Sequence, residues 1–161
     1  MEIYILRHGI AEEGKAGQAD ADRRLTPEGK DKLRRILSRA RIAGVRPELI
    51  LSSPYKRAME TAALAAEELE VKSPILETRA LTPTERPEAV WEEIRLHKDA
   101  AQLLLAGHEP QLSALVCYLI GARAGAVELK KGAIARVDAA SLGPRPDGVL
   151  IWLLTAKLAN S

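Results

Sequence analysis

Short apolar runs alternate with longer amphipathic segments along the chain, and this alternation predicts its secondary structure. The apolar runs are rich in Ile, Leu and Val and are four to six residues long, which is typical of buried strands. The predicted strands cover residues 2–6, 48–52, 73–76, 102–106, 133–137 and 149–154.

Between the strands, apolar residues recur at the spacing of an amphipathic helix. Thr26 followed by Pro27 indicates a helix start, because Thr can cap the free amides and Pro fits the first helical position. Gly44 is a typical helix end. The further predicted helices run from Ser53-Pro54 to about Leu69, over residues 87–98, and directly after Pro110.

Strands that alternate with helices predict an α/β fold, a three-layer α/β/α sandwich with a mostly parallel central sheet. The chain has 161 residues, with neither an internal repeat nor a linker, so we expect a single domain over residues 1–161. Residues 9–25 are polar and lack any period, and they predict a long loop.

The composition narrows the possible functions. Lys and Arg number 24 against 22 Asp and Glu, a balance too even to favour nucleic acid or an anionic membrane as the main partner. Nucleic-acid binding by the basic helix at residues 28–41 stays as a minor alternative. The single Cys117 lies in an apolar stretch and excludes an internal disulfide and a multi-cysteine zinc site. No membrane span or secretory signal is recognised, so we expect a cytoplasmic protein.

Unusual polar residues follow three of the predicted strands. They are Arg7-His8-Gly9, Ser52-Ser53-Pro54 with Arg57 shortly after, and Gly107-His108. Ligands of open α/β sheets bind at the carboxyl ends of the strands, so parallel strands would bring these three sets to one crevice. Two of the three histidines in the chain lie at such strand ends.

This set of residues suits a phosphoryl group. The guanidinium groups of Arg7 and Arg57 can bind phosphate oxygens bidentately, and a helix beginning near Ser53 would add free amides. A neutral imidazole can attack phosphorus, and nearby cations would keep His8 neutral by lowering its pKa. A second imidazole, His108, could stabilise the transferring oxygens.

The same segments resemble those of a known family. Leu6-Arg7-His8-Gly9, Ser52-Ser53-Pro54 with Arg57-Ala58 and Thr61-Ala62, and Gly107-His108-Glu109-Pro110 are similar to three motifs of the histidine phosphatase superfamily, which has the phosphoglycerate mutase-like fold. The short chain, without a large lid insertion, looks like the SixA-type phosphohistidine phosphatases. Segments 24–29 and 131–135 also resemble that subfamily, and the likeness spans about residues 2–155.

The resemblance implies His8 as the nucleophile, Arg7 and Arg57 as phosphate clamps and His108 as a second pocket histidine. We also expect Gly9 and Ser53 at phosphate-binding positions. Neither a metal nor a cofactor is expected. Larger members of the family supply a carboxylic acid as proton donor, for which the candidates in this chain are Glu77, Glu85 and Glu88.

No motif selects among these three acids, and this favours a particular substrate class. The imidazole that leaves phosphohistidine is protonated easily, whereas an alkoxide needs a general acid. We therefore expect a phosphatase, involved in signal transduction, that acts on a phosphohistidine-bearing protein such as a phosphotransfer domain or phosphocarrier. The alternatives are a small-molecule phosphomonoesterase of the same superfamily and a phosphate-binding module without turnover.

Overall fold

The computed structural model of the protein describes all residues from Met1 to Ser161. It contains one six-stranded sheet with the strand order β3-β2-β4-β1-β5-β6, in which only β5 runs antiparallel to the others. The strands are β1 (Glu2–Arg7), β2 (Leu49–Ser52), β3 (Leu76–Glu77), β4 (Gln102–Gly107), β5 (Ile134–Ala139) and β6 (Gly148–Leu154). The helices are α1 (Pro27–Ile42), α2 (Lys56–Glu68), α3 (Pro87–Arg95), α4 (Gln111–Ile120) and α5 (Ala156–Ala159).

Two hydrophobic cores lie on opposite faces of this sheet. Successive side chains of a strand point to opposite faces, so Ile3 and Ile5 of β1 pack with α3 and α4, whereas Tyr4 and Leu6 pack with α1 and α2. The central strands β1 and β4 are buried on both faces. This arrangement confirms the three-layer α/β/α sandwich with a mostly parallel sheet.

Helix α1 forms as its sequence predicts. The Thr26 hydroxyl accepts a hydrogen bond from the Gly29 amide at 2.9 Å, and Pro27 takes the first helical position. The buried face carries Leu33, Ile36, Leu37 and Ala40. In the segment predicted as a loop, residues 9–25, a single 3₁₀ turn covers Asp20–Asp22.

The start of α2 was predicted wrongly. The helix begins at Lys56 rather than at Ser53-Pro54, because Tyr55 has extended backbone angles and its amide donates to the Ser53 hydroxyl at 3.3 Å. This local hydrogen bond holds the chain out of the helical conformation. Arg57 is therefore the second residue of α2, and not a residue one turn inside it.

Other boundaries differ by a few residues. The strand predicted at residues 73–76 is only the two-residue β3, which is exposed and lies at the sheet edge, where few contacts extend it. Helix α3 ends at Arg95 instead of residue 98, and β5 extends to Ala139. The short C-terminal α5 was not predicted, and it packs on α1. No helix has both the length and the apolar character that crossing a membrane requires.

Candidate active site

Three neighbouring strands bring the predicted residues together at the carboxyl ends of the strands. Strand β4 lies between β2 and β1, and all three run parallel. The amides of His8 and Ser53 donate to carbonyls near the end of β4, Gly107 and Ala106, each at 3.0 Å. Because His108 directly follows β4, these hydrogen bonds place His8, His108 and Ser53 side by side, as the strand ends predicted.

The His8 imidazole is held in a defined orientation. Its Nδ1 lies 2.7 Å from the Gly9 carbonyl oxygen, which can only accept a hydrogen bond, so Nδ1 carries the proton. The lone pair then resides on Nε2, 3.4 Å from the Arg57 Nε donor. His8 is 7% exposed, so its Nε2 is a largely desolvated nitrogen lone pair facing a cation.

His108 lies beside it and is buried almost completely. Its ring centre is 5.1 Å from that of His8, and its Nε2 is 2.8 Å from the Ser53 hydroxyl oxygen. The Tyr55 ring also packs against it in an edge-on geometry, with 5.0 Å between the ring centres. The Ser53 and Tyr55 contacts together fix the position of the His108 ring.

Arg57 is a buried cation that contacts three parts of the site. Its guanidinium donates to the backbone oxygen of Asp20 at 2.8 Å and to the Asp20 carboxylate at 3.0 Å. Its central carbon lies 5.1 Å from the centre of the Tyr55 ring, a cation–π distance. With only 4% of the residue exposed, Arg57 keeps a fixed position near His8 Nε2.

Arg7 and His108 each have a buried side-chain nitrogen that forms no hydrogen bond within the protein. Arg7 donates from its Nη1 to the Leu129 carbonyl at 2.9 Å, but its Nε is buried and unpaired. His108 Nδ1 is likewise buried and unpaired, and the only other such side-chain atom is Gln111 Oε1. Buried polar atoms normally have partners, and Arg7 Nε and His108 Nδ1 are suitable donors to an oxyanion.

Burial and neighbouring charges keep both histidines neutral. Burial is the largest cause that lowers the pKa of His8 to about 4, and the charges of Arg57, Arg7 and Lys131 lower it further, against the hydrogen bond to Gly9. Burial and the nearby His8 lower the pKa of His108 to about 3. The cations expected to keep His8 neutral do lower its pKa, but desolvation is the larger effect.

Gly9 and the three candidate acids have distinct positions. A Cβ atom on Gly9 would lie 2.7 Å from Leu33 Cδ1, so this glycine lets the loop after β1 pack closely on α1. Its amide donates to the Thr61 hydroxyl at 3.3 Å.

Glu77 and Glu85 line a groove of about 610 Å³ that also contains Tyr55. Glu88 lies on α3, where its carboxylate pairs with Arg86.

Several residues of the site were missed in the sequence. Asp20 lies in the loop without a period, and hydrogen bonds from Arg23 and Arg57 hold its pKa below the usual value although partial burial opposes this shift. Gln111 donates to the carbonyls of Ala80 and Glu85 at 2.6 and 3.0 Å, and so fixes the segment that bears Glu85. The lone polar Gln at the start of an otherwise apolar helix is the one signal in the sequence that could have identified it. No cluster of His, Cys, Asp and Glu side chains is arranged to hold a metal ion.

Comparison with known proteins decides the family. The model of the histidine phosphatase superfamily, branch 1, matches residues 3–82, a span that includes Arg7, His8 and Arg57. The chain belongs to the histidine phosphatase superfamily. Its fold is the phosphoglycerate mutase-like fold of that superfamily. Both expectations from the sequence motifs are thereby confirmed.

Similar proteins support a phosphatase within this superfamily. The structure of the protein histidine phosphatase SixA complexed with tungstate is 26% identical, covers 98% of both chains and superposes with a TM-score of 0.88. A candidate phosphohistidine phosphatase SixA from Agrobacterium tumefaciens is 25% identical over 96% of this chain and 97% of that one, with a TM-score of 0.82. An uncharacterized protein of Picosynechococcus is 32% identical over 98% of each chain.

Proposed function

We propose that the protein is a phosphohistidine phosphatase that removes the phosphoryl group from a histidine of another protein through a phospho-His8 intermediate. The observation that carries this proposal is the orientation of the neutral His8 imidazole. Its Nδ1 proton is engaged by the Gly9 carbonyl, and its Nε2 lone pair lies 3.4 Å from the Arg57 Nε. A neutral, oriented imidazole beside a buried cation suits attack on a phosphoryl group that the cation binds.

The reaction has two displacement steps. In the first, the His8 Nε2 lone pair attacks phosphorus and the P–N bond of the substrate breaks. The electron pair of that bond returns to the substrate ring, which departs as neutral imidazole because its other ring nitrogen carries a proton taken up from solvent. In the second, a water oxygen attacks phosphorus, and the bond to Nε2 breaks with its electron pair returning to Nε2. The protons of the water leave with the inorganic phosphate, and His8 is again neutral with its proton on Nδ1. The hydrogen bond from Nδ1 to Gly9 holds the ring in one tautomer throughout.

The neighbouring groups stabilise the charge on the phosphoryl oxygens. Arg57 is held by Asp20 and Tyr55 and needs little reorganisation to bind an oxygen. Arg7 Nε and His108 Nδ1 are buried donors whose hydrogen bonds an oxygen would complete. The similar SixA binds tungstate, an oxyanion with the tetrahedral shape of phosphate.

The proposed leaving group fits a site without an engaged acid. Glu77 and Glu85 lie on the wall of the neighbouring groove, and neither makes a side-chain hydrogen bond to His8 or His108. An imidazole leaving group needs less protonation than an alkoxide. Similarity to a protein histidine phosphatase over nearly the whole chain supports a protein-borne phosphohistidine as substrate.

Phosphate release from a chemically phosphorylated phosphotransfer domain tests the proposal. We expect release by the wild type in the presence of EDTA, and a loss of about four orders of magnitude or more in His8→Ala, because the nucleophile is gone. His97→Ala, which alters a half-buried histidine after α3 that contacts Glu93 and lies outside the site, is the matched control and should retain activity.

Three results would contradict the proposal. Wild-type activity that EDTA abolishes would refute a metal-independent reaction. A strong preference for a sugar phosphate or nucleotide would indicate a small-molecule phosphomonoesterase, and phosphate binding without release would indicate a binding module.

A further inference from the structure

A second groove, of about 1020 Å³, opens beside Arg7. We call the space between His8, Ser53, Arg57 and His108 the phosphate pocket. In the order of the strands, the second groove lies on the side of this pocket opposite to Glu77 and Glu85. We call it the basic groove. No aspartate or glutamate is among the residues that line it. Its cationic lining residues are Arg7, Lys32, Lys130, Lys131 and Lys157.

The basic groove is attached directly to the catalytic strand end. The Gly132 amide donates to the His8 carbonyl and the Arg7 amide donates to the Ala133 carbonyl, each at 3.0 Å. These bonds hold the segment with Lys130 and Lys131 next to the nucleophile. The Lys131 charge lowers the pKa of His8, although less than burial does.

Much of the charge in the groove is available to a partner. Lys131 and Lys157 are exposed and form no ion pair. Lys32 and Lys130 pair with Glu28 and Glu128 at 2.9 and 2.6 Å, but these pairs are solvated and therefore weak. The lysines come from α1, from the segment before β5 and from α5, so the positive charge extends across the whole groove.

The two sides of the phosphate pocket therefore differ in charge. The groove with Glu77 and Glu85 has a single cation, Arg79, on its wall. The basic groove has five cations and no anion. A partner that carried acidic residues on one side of its phosphohistidine would be attracted in one orientation only.

We propose that the basic groove docks an acidic protein surface adjacent to the phosphohistidine of the substrate, an inference that rests on the proposed function. Exposed lysines bind a single small anion weakly, because water screens each charge. Several such charges together attract an extended acidic surface and accelerate its association. The spread of the groove lysines over three elements fits this second kind of ligand.

The test compares two double variants of equal charge change. Lys130→Gln/Lys157→Gln removes two charges from the basic groove and leaves Lys131, which acts on His8, in place. Lys72→Gln/Lys98→Gln removes two exposed, unpaired charges. These lysines precede β3 and β4, at the amino ends of the strands, whereas the site lies at the carboxyl ends. The substrates are a phosphotransfer domain with acids around its phosphohistidine, a copy with those acids changed to amides, and phosphoimidazole.

For the acidic domain at low ionic strength we expect kcat/KM to fall about tenfold in the groove variant, and to change little in the control. With the amide copy and with phosphoimidazole, the groove variant should have the same kcat/KM as the wild type. Added salt should remove the difference in kcat/KM between the two for the acidic domain. Equal losses on all three substrates, or equal losses in both variants, would overturn the docking proposal.

Binding of the unphosphorylated acidic domain, measured by calorimetry, separates the two proposals. If the wild type released no phosphate from any phosphohistidine, the proposed function would fail. Docking would then be decided by affinity alone: tighter binding by the wild type than by the groove variant supports it, and equal binding refutes it.

Discussion

The proposed phosphate pocket and the grooves beside it are built differently, although they adjoin within one site. In the pocket, His8, Ser53, Arg57 and His108 are each less than a tenth exposed and are connected by direct contacts. In the grooves, the charged side chains are mostly exposed and pair only with solvated neighbours. In the proposed function the buried pocket carries out the chemistry, and the exposed grooves can select the substrate.

Among variants that keep the His8 nucleophile, the largest effect should follow from removal of the buried Arg57 cation. We expect Arg57→Ala to lower kcat by about two to three orders of magnitude, as loss of a preorganised group that stabilises the transition state does. Lys56→Ala is the matched control, because Lys56 precedes it on α2 and is exposed, with a single solvated ion pair to Asp22. Similar losses in the two variants would show that burial of the cation does not matter.

A smaller effect should follow from a change to a group that positions His108. Ser53→Ala removes the hydroxyl 2.8 Å from His108 Nε2, and we expect a loss of about tenfold in kcat with phosphohistidine. The Ser52 hydroxyl donates to the Ser53 carbonyl instead, so Ser52→Ala is the neighbouring control. An unchanged kcat in Ser53→Ala would remove Ser53 from the mechanism.

The pH dependence should be weak between pH 8 and 5.5. His8 must be neutral to attack, and with its pKa lowered to about 4 it stays neutral down to about pH 5. An unperturbed histidine with a pKa near 6.5 would be about nine-tenths protonated at pH 5.5 and would lose about tenfold in rate. Initial rates corrected for spontaneous hydrolysis decide between these cases, and a decline centred near pH 6.5 would contradict the buried, neutral His8.

The smallest effect concerns the acids at the groove beside Tyr55. We expect Glu85→Gln and Glu77→Gln to change kcat for a phosphohistidine substrate by no more than about twofold, since the departing imidazole needs little general-acid assistance. Loss of turnover in Glu85→Gln would identify this residue as the proton donor, and would overturn the argument that the site favours P–N bonds.

The pocket could be predicted from the sequence because each of its main residues follows a strand. An apolar run that ends in Arg7-His8 or Gly107-His108 is visible in one dimension, and parallel strands then bring the ends together. Register adds what the pattern lacks, since Arg7 pairs with Gly107 and so places the two histidines at the same level.

The other features of the site could not be predicted, because most of them depend on contacts between segments that are distant in the sequence. Asp20 reaches Arg57 across 37 positions from a loop without hydrophobic periodicity, so no local pattern identified it. The false helix start at Ser53-Pro54 arose because the hydrogen bond between the Ser53 hydroxyl and the Tyr55 amide competes with a helical turn. The groove lysines lie on three elements, and only the fold assembles them.

The covalent intermediate is the most direct test of the central claim. Wild-type enzyme should be mixed with a ³²P-labelled phosphohistidine domain, quenched within milliseconds in base, and separated from the substrate. We predict label on the enzyme that is stable in base, lost in acid and located on His8, with none on His8→Ala. Phosphate release without any labelled enzyme, or equal labelling of His8→Ala, would contradict the account.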